Sequence, residues 1–288
     1  VKTIVTTDIA AKIAEEYGVK LIEVLTGFKF IGEQIGFLED KGQEDRYIFG
    51  FEESYGYLAG SYVRDKDAVV ASMLICEMAA FYRTKGISLI QARENMYKKY
   101  GVYVHSQSSF VCEGVTGMER MKEIMSDLRT NTPKTIGGLT VTRFEDYLAS
   151  TSVDTATGAK TMLTLPKSDV LTFKLTDGAS VIIRPSGTEP KIKAYYTTTG
   201  TTKAEAAALE KTISDDFAKI FIKTKTTVAT SHTRPTEKQT VRGFRMRTFF
   251  FTATKSFRVT SSIEAISLSV ITSGNDSARS HLLTALSE

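Results

Sequence analysis

Residues 1–100 alternate short strand-like runs with helix-like segments, and this rhythm restricts the fold more than any other feature. Val1 to Val5 reads as a strand and Ile9 to Tyr17 as a short helix stopped by Gly18. Val19 to Leu25 is strand-like, Ile31 to Leu38 fits a short helix, and Tyr47 to Phe51 reads as a buried strand. Asp67 to Arg83 is a long apolar helix closed by Lys85-Gly86, and Ser88 to Gln91 has the capping-box spacing that opens a helix to about Tyr100. Such alternation predicts a three-layer α/β domain with a largely parallel sheet. Ligand loops in these domains follow the carboxyl ends of strands.

The rhythm changes from about Gly101. A strand near Phe110 to Cys112 precedes Thr116 to Glu119, a second capping box, and a helix to Arg129. Strands follow near Leu139 to Phe144, Val170 to Lys174, Val181 to Ile183 and Ala194 to Tyr196. Thr202 to Glu205 then caps an amphipathic helix to about Phe221. This predicts an α+β domain over 101–222, with an antiparallel sheet and two helices on one face.

After Ile222 the composition turns basic and rich in Ser and Thr, and an irregular C-terminal tail over 223–288 is expected. Two readings stand for it: a basic extension touching anionic surfaces, or disordered sequence foreign to the rest. The formal charge of +4 arises in this tail, whose ten Lys and Arg against four Asp and Glu give +6, while residues 1–222 carry −2. Residues 1–222 are nearly neutral, so nucleic acid is not an expected partner for them. No apolar run is long enough for a membrane helix. The start lacks both a signal peptide and an initiator Met and reads as a cut chain. Cys76 and Cys112 show no metal or redox spacing. Cys76, within an apolar helical run, is expected to be a buried thiol, and both cysteines fit a reducing cytoplasm.

Three short segments carry chemistry. Arg184-Pro185-Ser186-Gly187-Thr188-Glu189-Pro190-Lys191-Ile192-Lys193 sets a guanidinium, two hydroxyls, a glycine and two ammonium groups on a turn between two strands. Such a turn suits one tetrahedral oxyanion, and equally suits a plain charged hairpin. Gly50-Phe51-Glu52-Glu53-Ser54-Tyr55-Gly56 runs from a strand into an acidic turn, and Thr26-Gly27-Phe28-Lys29-Phe30-Ile31-Gly32-Glu33 follows another strand.

Together, and in this order, the three segments resemble the α-D-phosphohexomutases, the phosphoglucomutase and phosphomannomutase family, over about Val1 to Ile222. The resemblance is nearest to bacterial phosphoglucomutase-type members. It implies that 1–100 is the family's third domain and 101–222 its C-terminal domain. It further implies an intramolecular phosphotransferase that interconverts hexose 1-phosphate and hexose 6-phosphate through a bisphosphosugar. Arg184, Ser186, Gly187 and Thr188 would clamp the fixed phosphate, with Lys193 as a weaker member. Glu52 and Ser54 would hold sugar hydroxyls, and Lys29 would neutralise phosphate charge or assist proton transfer.

The family's phosphoserine loop and its Asp-rich loop for Mg²⁺ are not in this sequence. No nucleophile is therefore expected here, and the isolated chain is expected to be inactive. Mg²⁺ and the activator glucose 1,6-bisphosphate belong to the intact family enzyme. Hexose phosphate is the expected ligand, and a missing N-terminal half a possible partner. Asp65-Lys66-Asp67 is read as the cap and first turn of a helix rather than a metal site. His105 matches no motif and is assigned a structural or surface role, while Tyr55 and Tyr57 are expected to pack the acidic loop. The rival readings are a phosphosugar-binding module without catalysis and a non-functional truncated product.

Overall fold

A computed structural model describes residues 1–112, 116–187 and 189–231, with side chains described as far as 222. The irregular tail expected beyond Ser231 therefore lies outside the described residues. Among those described, one compact unit holds Val1–His105 with Thr197–Ala207, and another holds Ser106–Tyr196 with the residues after Ala207.

The first unit starts with β1 (Lys2–Thr3), α1 (Ile9–Glu16), β2 (Glu23–Val24) and α2 (Phe28–Glu39). The hairpin β3 (Phe49–Glu52) and β4 (Gly56–Ala59) follows, then α3 (Ala68–Thr84) and α4 (Leu89–Tyr100). The sheet order is β2-β1-β3-β4. β1 runs parallel to β2 and β3, whereas β4 is antiparallel to β3. The sheet is thus mixed at its edge, because β3 and β4 are joined by a three-residue turn too short for a crossover. Tyr55 supplies the left-handed conformation of that turn, with φ of 59°.

Strand alternation builds the layers. Phe49, Phe51 and Tyr57 pack with Met78 of α3 and Ala10 of α1. Leu58, on the opposite face, packs with Phe28, Ile31 and Ile35 of α2. Helices therefore cover both faces of the sheet, as the alternation in sequence requires. Each fully buried Ile or Leu here contributes about 1.5–3 kcal/mol.

Two expectations for this unit change. α2 begins at Phe28 rather than Ile31, because Gly27, with φ of 125°, lets the chain turn directly from β2 into the helix. Lys29 accordingly stands in a helical first turn. Cys76 is exposed, not buried. Apolar residues surround α3 on all sides, and Val69, Met73 and Cys76 fall on its outer face while Met78 faces the core.

The other unit is built on an eight-stranded sheet. Its strands are β5 (Val102–Val111), β6 (Thr135–Ile136), β7 (Leu139–Asp146), β8 (Thr151–Asp154) and β9 (Lys160–Met162). β10 (Leu171–Leu175), β11 (Ser180–Pro185) and β12 (Lys191–Gly200) complete it. The order is β5-β12-β11-β10-β7-β8-β9, with β6 on β7. Pairings from β10 to β11, β7 to β10, β7 to β8 and β8 to β9 are antiparallel.

α5 (Gly117–Thr130) and α6 (Lys203–Ser231) supply Ile124, Met125, Phe217 and Phe221 to a core shared with Phe173, Val181, Ile183 and Tyr196. This is the expected α+β build.

β5 is ten residues long where only Phe110 to Cys112 stood out in sequence, because its run of Ser and Gln hides the alternation of buried Val102, Val104 and Phe110. Thr116 makes no side-chain capping bond to α5, whereas Thr202 and Glu205 form a full reciprocal box at α6. α6 continues to Ser231, past the end expected near Phe221.

Candidate functional site

In the first unit, the turn after β3 carries Glu52, Glu53 and Ser54. Glu52 ends β3, where its side chain is only 5% exposed. Its Oε1 lies 3.0 Å from Nζ of Lys66, whose side chain is 45% exposed. Lys66 also stands 5.9 Å from the centroid of the Phe28 ring. The hairpin register pairs Glu52 with Gly56. A Cβ at Gly56 would lie 2.6 Å from Cγ of Glu52 and 2.9 Å from Cδ2 of Phe28, so the carboxylate position depends on that glycine. A Cβ at Gly32 would lie 2.5 Å from the Arg64 carbonyl oxygen, and its absence lets α2 approach the segment that carries Lys66. The result is a carboxylate held beside an ammonium that stands over the Phe28 ring. The carboxylate accepts from hydroxyls, and the ammonium donates to oxygen.

A second polar layer supports this turn. Thr3 Oγ1 lies 2.7 Å from Thr6 Oγ1 and donates to Glu53 Oε2 at 3.2 Å. Lys2 is fully buried, and its Nζ meets Glu23 Oε1 at 2.7 Å, Asp8 Oδ1 at 2.9 Å and the Thr6 carbonyl at 3.0 Å. A buried ammonium persists only when so paired. These contacts fix the loop between β1 and α1.

Ser54 is exposed at the tip of the turn, and Lys29 is exposed with Nζ 4.8 Å from the Phe30 ring centroid. Tyr55, expected to pack, is exposed, while Tyr57 is buried in the core. His105 is half-buried, its Nε2 2.8 Å from Thr7 Oγ1 and its Nδ1 3.1 Å from Thr197 Oγ1. Burial lowers its pKa from 6.5 to about 4.

Mg²⁺ finds no fitting donor set among the described residues, where no three His, Cys, Asp or Glu side chains gather. Asp67 caps α3 through Val69 N at 2.8 Å and Val70 N at 3.0 Å, and accepts from Tyr62 Oη at 2.6 Å. The Tyr62 bond is the main cause of the lowered Asp67 pKa, and it raises that of Tyr62 to about 12. Asp65 accepts from Lys66 N.

In the other unit, β11 and β12 flank the second turn. Arg184 is half-buried, and its Nε donates to Tyr195 Oη at 3.3 Å. Ser186 N donates to the Lys191 carbonyl at 2.8 Å, closing the turn. Gly187 is exposed, and nothing lies within 4 Å of where a Cβ would stand, so the approach to its backbone is open. Glu189 and Lys191 pair with each other. At the base of the turn, the Pro190 carbonyl accepts from Cys112 N at 2.7 Å. Lys193 is half-buried on the same strand face as Tyr195. Thr188 lies outside the described residues.

The structure thus gathers Arg184, Ser186, Gly187 and Lys193 around one turn and Glu52 and Ser54 on another, with Lys29 on α2. Lys66 stands in sequence only within a helix-start segment and Tyr195 only within a strand. Lys66 left no signal beyond its charge, since its bond to Glu52 spans 14 positions. For Tyr195, the alternation with core-facing Ala194 and Tyr196 was the available sign.

Comparison with known proteins identifies the chain. Residues 1–100 match the family model described as phosphoglucomutase/phosphomannomutase, alpha/beta/alpha domain III, and residues 128–215 match that of the C-terminal domain. A phosphoglucomutase of Staphylococcus aureus (strain bovine RF122 / ET3-1) is 39% identical over 195 residues, 68% of this chain and 35% of that protein. The phosphoglucomutase of strain MRSA252 is 38% identical over the same shares. The chain therefore spans about a third of the length of these curated relatives. Among solved structures, the open form of the Paramecium exocytosis-sensitive phosphoprotein pp63/parafusin superposes with a TM-score of 0.53 at 20% identity. That match covers 80% of this chain and 37% of the other, and it shows the fold. On these matches the chain belongs to the phosphoglucomutase/phosphomannomutase family, of which it carries the alpha/beta/alpha domain III and the C-terminal domain.

Proposed function

We propose that this chain binds hexose phosphate, and that it serves the interconversion of hexose 1-phosphate and hexose 6-phosphate through a bisphosphosugar. The β3–β4 turn supplies the sugar contacts. Glu52 accepts hydrogen bonds from neighbouring hydroxyls and Ser54 adds one more, while Lys66 holds the Glu52 carboxylate and offers its remaining N–H groups to ligand oxygen. Lys29 adds positive charge nearby on α2. The β11–β12 turn supplies the phosphate contacts: a bidentate Arg184, the Ser186 and Thr188 hydroxyls, the open backbone at Gly187, and Lys193 at longer range. Positioning and charge stabilisation are the main contributions a protein makes to phosphoryl transfer, and both turns are of that kind.

The observation that carries this reading is the Glu52–Lys66 pair, since a nearly buried carboxylate kept beside a half-exposed ammonium is a prepared polar site. Titration calorimetry with glucose 1-phosphate tests it. Binding by the wild-type chain, lost in Arg184→Ala, is the expected result. Equal binding by wild type and Arg184→Ala would remove the phosphate clamp.

The chain contains neither the family's serine nucleophile loop nor residues that fit Mg²⁺ among those described. By itself it therefore binds without turnover. A coupled assay with a catalytic amount of glucose 1,6-bisphosphate is expected to give no product above background. Sustained turnover would show that the transferring group is present after all.

A further inference from the structure

β12 places two consecutive tyrosines on opposite faces of its sheet. Tyr196 enters the helix-covered core, with its ring centroid 6.2 Å from that of Phe217. Tyr195 faces the other way, as strand alternation demands, and is nevertheless only 5% exposed. On β11 the same alternation sends Val181 and Ile183 into the core and Arg184 to the face of Tyr195. The two side chains meet there. Arg184 Nε donates to Tyr195 Oη at 3.3 Å, and Arg184 Cζ lies 6.0 Å from the Tyr195 ring centroid.

A guanidinium is a rigid plane with five N–H donors. It can grip an oxyanion in two ways with a parallel pair of bonds. One uses the side edge, Nε with one Nη, and the other uses the end edge, both Nη atoms. A donor already committed to a phenol oxygen is withdrawn from the side edge. At 3.3 Å the bond is long for N–H···O, so its effect is directional more than energetic. It also removes rotational freedom about the last torsions of a side chain that is only half-buried, and less entropy is then lost when a ligand binds.

We infer that Tyr195 is a positioning residue for Arg184, fixing the guanidinium so that it takes a phosphate group end-on through its two Nη nitrogens. This rests on the phosphate-clamp reading above. It adds a residue and an orientation to that reading: the ligand phosphate approaches along the arginine's long axis, not across its flank.

A double-mutant cycle on the full 288-residue chain tests the inference, with inorganic phosphate and glucose 1-phosphate as probes. Tyr195→Phe keeps the ring and removes only Oη. Arg184→Lys keeps the charge and removes the Nε–H edge. Loss of one hydrogen bond predicts that Tyr195→Phe weakens binding about three- to tenfold in the Arg184 background. In the Arg184→Lys background the same change is expected to have almost no effect. Equal weakening in both backgrounds would assign Tyr195 a purely structural role and overturn the inference, as would no weakening in either.

The Arg184 Nε–H resonance gives a readout that needs no ligand. Its exchange with solvent is expected to be slower in wild type than in Tyr195→Phe, and identical rates would refute the hydrogen bond's role. Arg184→Ala separates this inference from the reading beneath it. If that variant binds phosphate as wild type does, or if wild type binds none, the clamp itself falls. If Arg184→Ala loses binding and Tyr195→Phe does not, only the positioning role falls.

Discussion

Lys66 Nζ stands 3.0 Å from Glu52 Oε1 and joins a half-exposed ammonium to a carboxylate that is almost wholly enclosed. The asymmetry of this pair decides what its loss does. Removing Lys66 leaves a negative group enclosed without its cation, whereas removing Glu52 leaves a lysine that can turn to water. Lys66→Met is therefore expected to lower stability by about 1–2 kcal/mol, discounted from a fully buried pair because Lys66 is partly solvated. Glu52→Gln is expected to cost less stability and more hexose-phosphate affinity. Urea denaturation and calorimetric titration of the two variants check this, and a larger stability loss in Glu52→Gln would contradict it.

Gly56 tests how tightly the β3–β4 turn is built. Its missing Cβ leaves room for Glu52 Cγ and the Phe28 ring edge, so Gly56→Ala overpacks the hairpin. The expected destabilisation is about 1–3 kcal/mol. On the proposed sugar role of Glu52, glucose 1-phosphate binding should weaken more than binding of inorganic phosphate, because the Glu52 carboxylate is the group displaced.

His105 gives the fold a pH dependence of known sign. Its folded pKa of about 4 lies below the ordinary value of 6.5, so the unfolded chain takes up this proton first as pH falls. The stability is fully present above pH 6.5, declines between 6.5 and 4, and is lost by about 3 kcal/mol below that window. Denaturant midpoints measured from pH 7 to pH 4 should fall steeply in wild type and less steeply in His105→Gln. Parallel slopes would mean that His105 is not the titrating group.

Asp67→Ala removes two cap bonds at α3 and the acceptor of Tyr62. The expected cost is about 1 kcal/mol of stability. The Tyr62 pKa should fall from about 12 toward 10, because the Asp67 hydrogen bond is the chief cause of its rise. Site-resolved titration of Tyr62 measures this, and an unchanged value would show that the phenol's state is set elsewhere.

Patterning in sequence disclosed the layers of both units because strand and helix periods act locally. Phe49 and Phe51 lie in a run legible as a buried strand, whereas the four-residue partner strand carrying Tyr57 and Leu58 is too short to stand out beside the acidic turn. Exposure on α3 could not be read this way. A helix apolar on every side shows no preferred face, so Cys76 looked as buried as Met78 although only the latter faces the sheet. Glu52 and Arg184 stood out because they lie in compact turns rich in functional groups. Lys66 and Tyr195 did not, since each gains its place by reaching a residue on another segment. Lys2 was read as a strand residue, because only the folded loop shows the oxygens that hold its ammonium.

The passage of the chain between its units orders its synthesis. His105 closes the first long segment of one unit, yet its partner Thr197 and the core residue Ala206 belong to a segment made about ninety residues later. A ribosome therefore releases Val1–His105 with Val102 and Val104 still uncovered, while all of Ser106–Tyr196 is being made. A nascent chain stalled before Thr197 would hold Val1–His105 open, with His105 lacking the Thr197 hydroxyl.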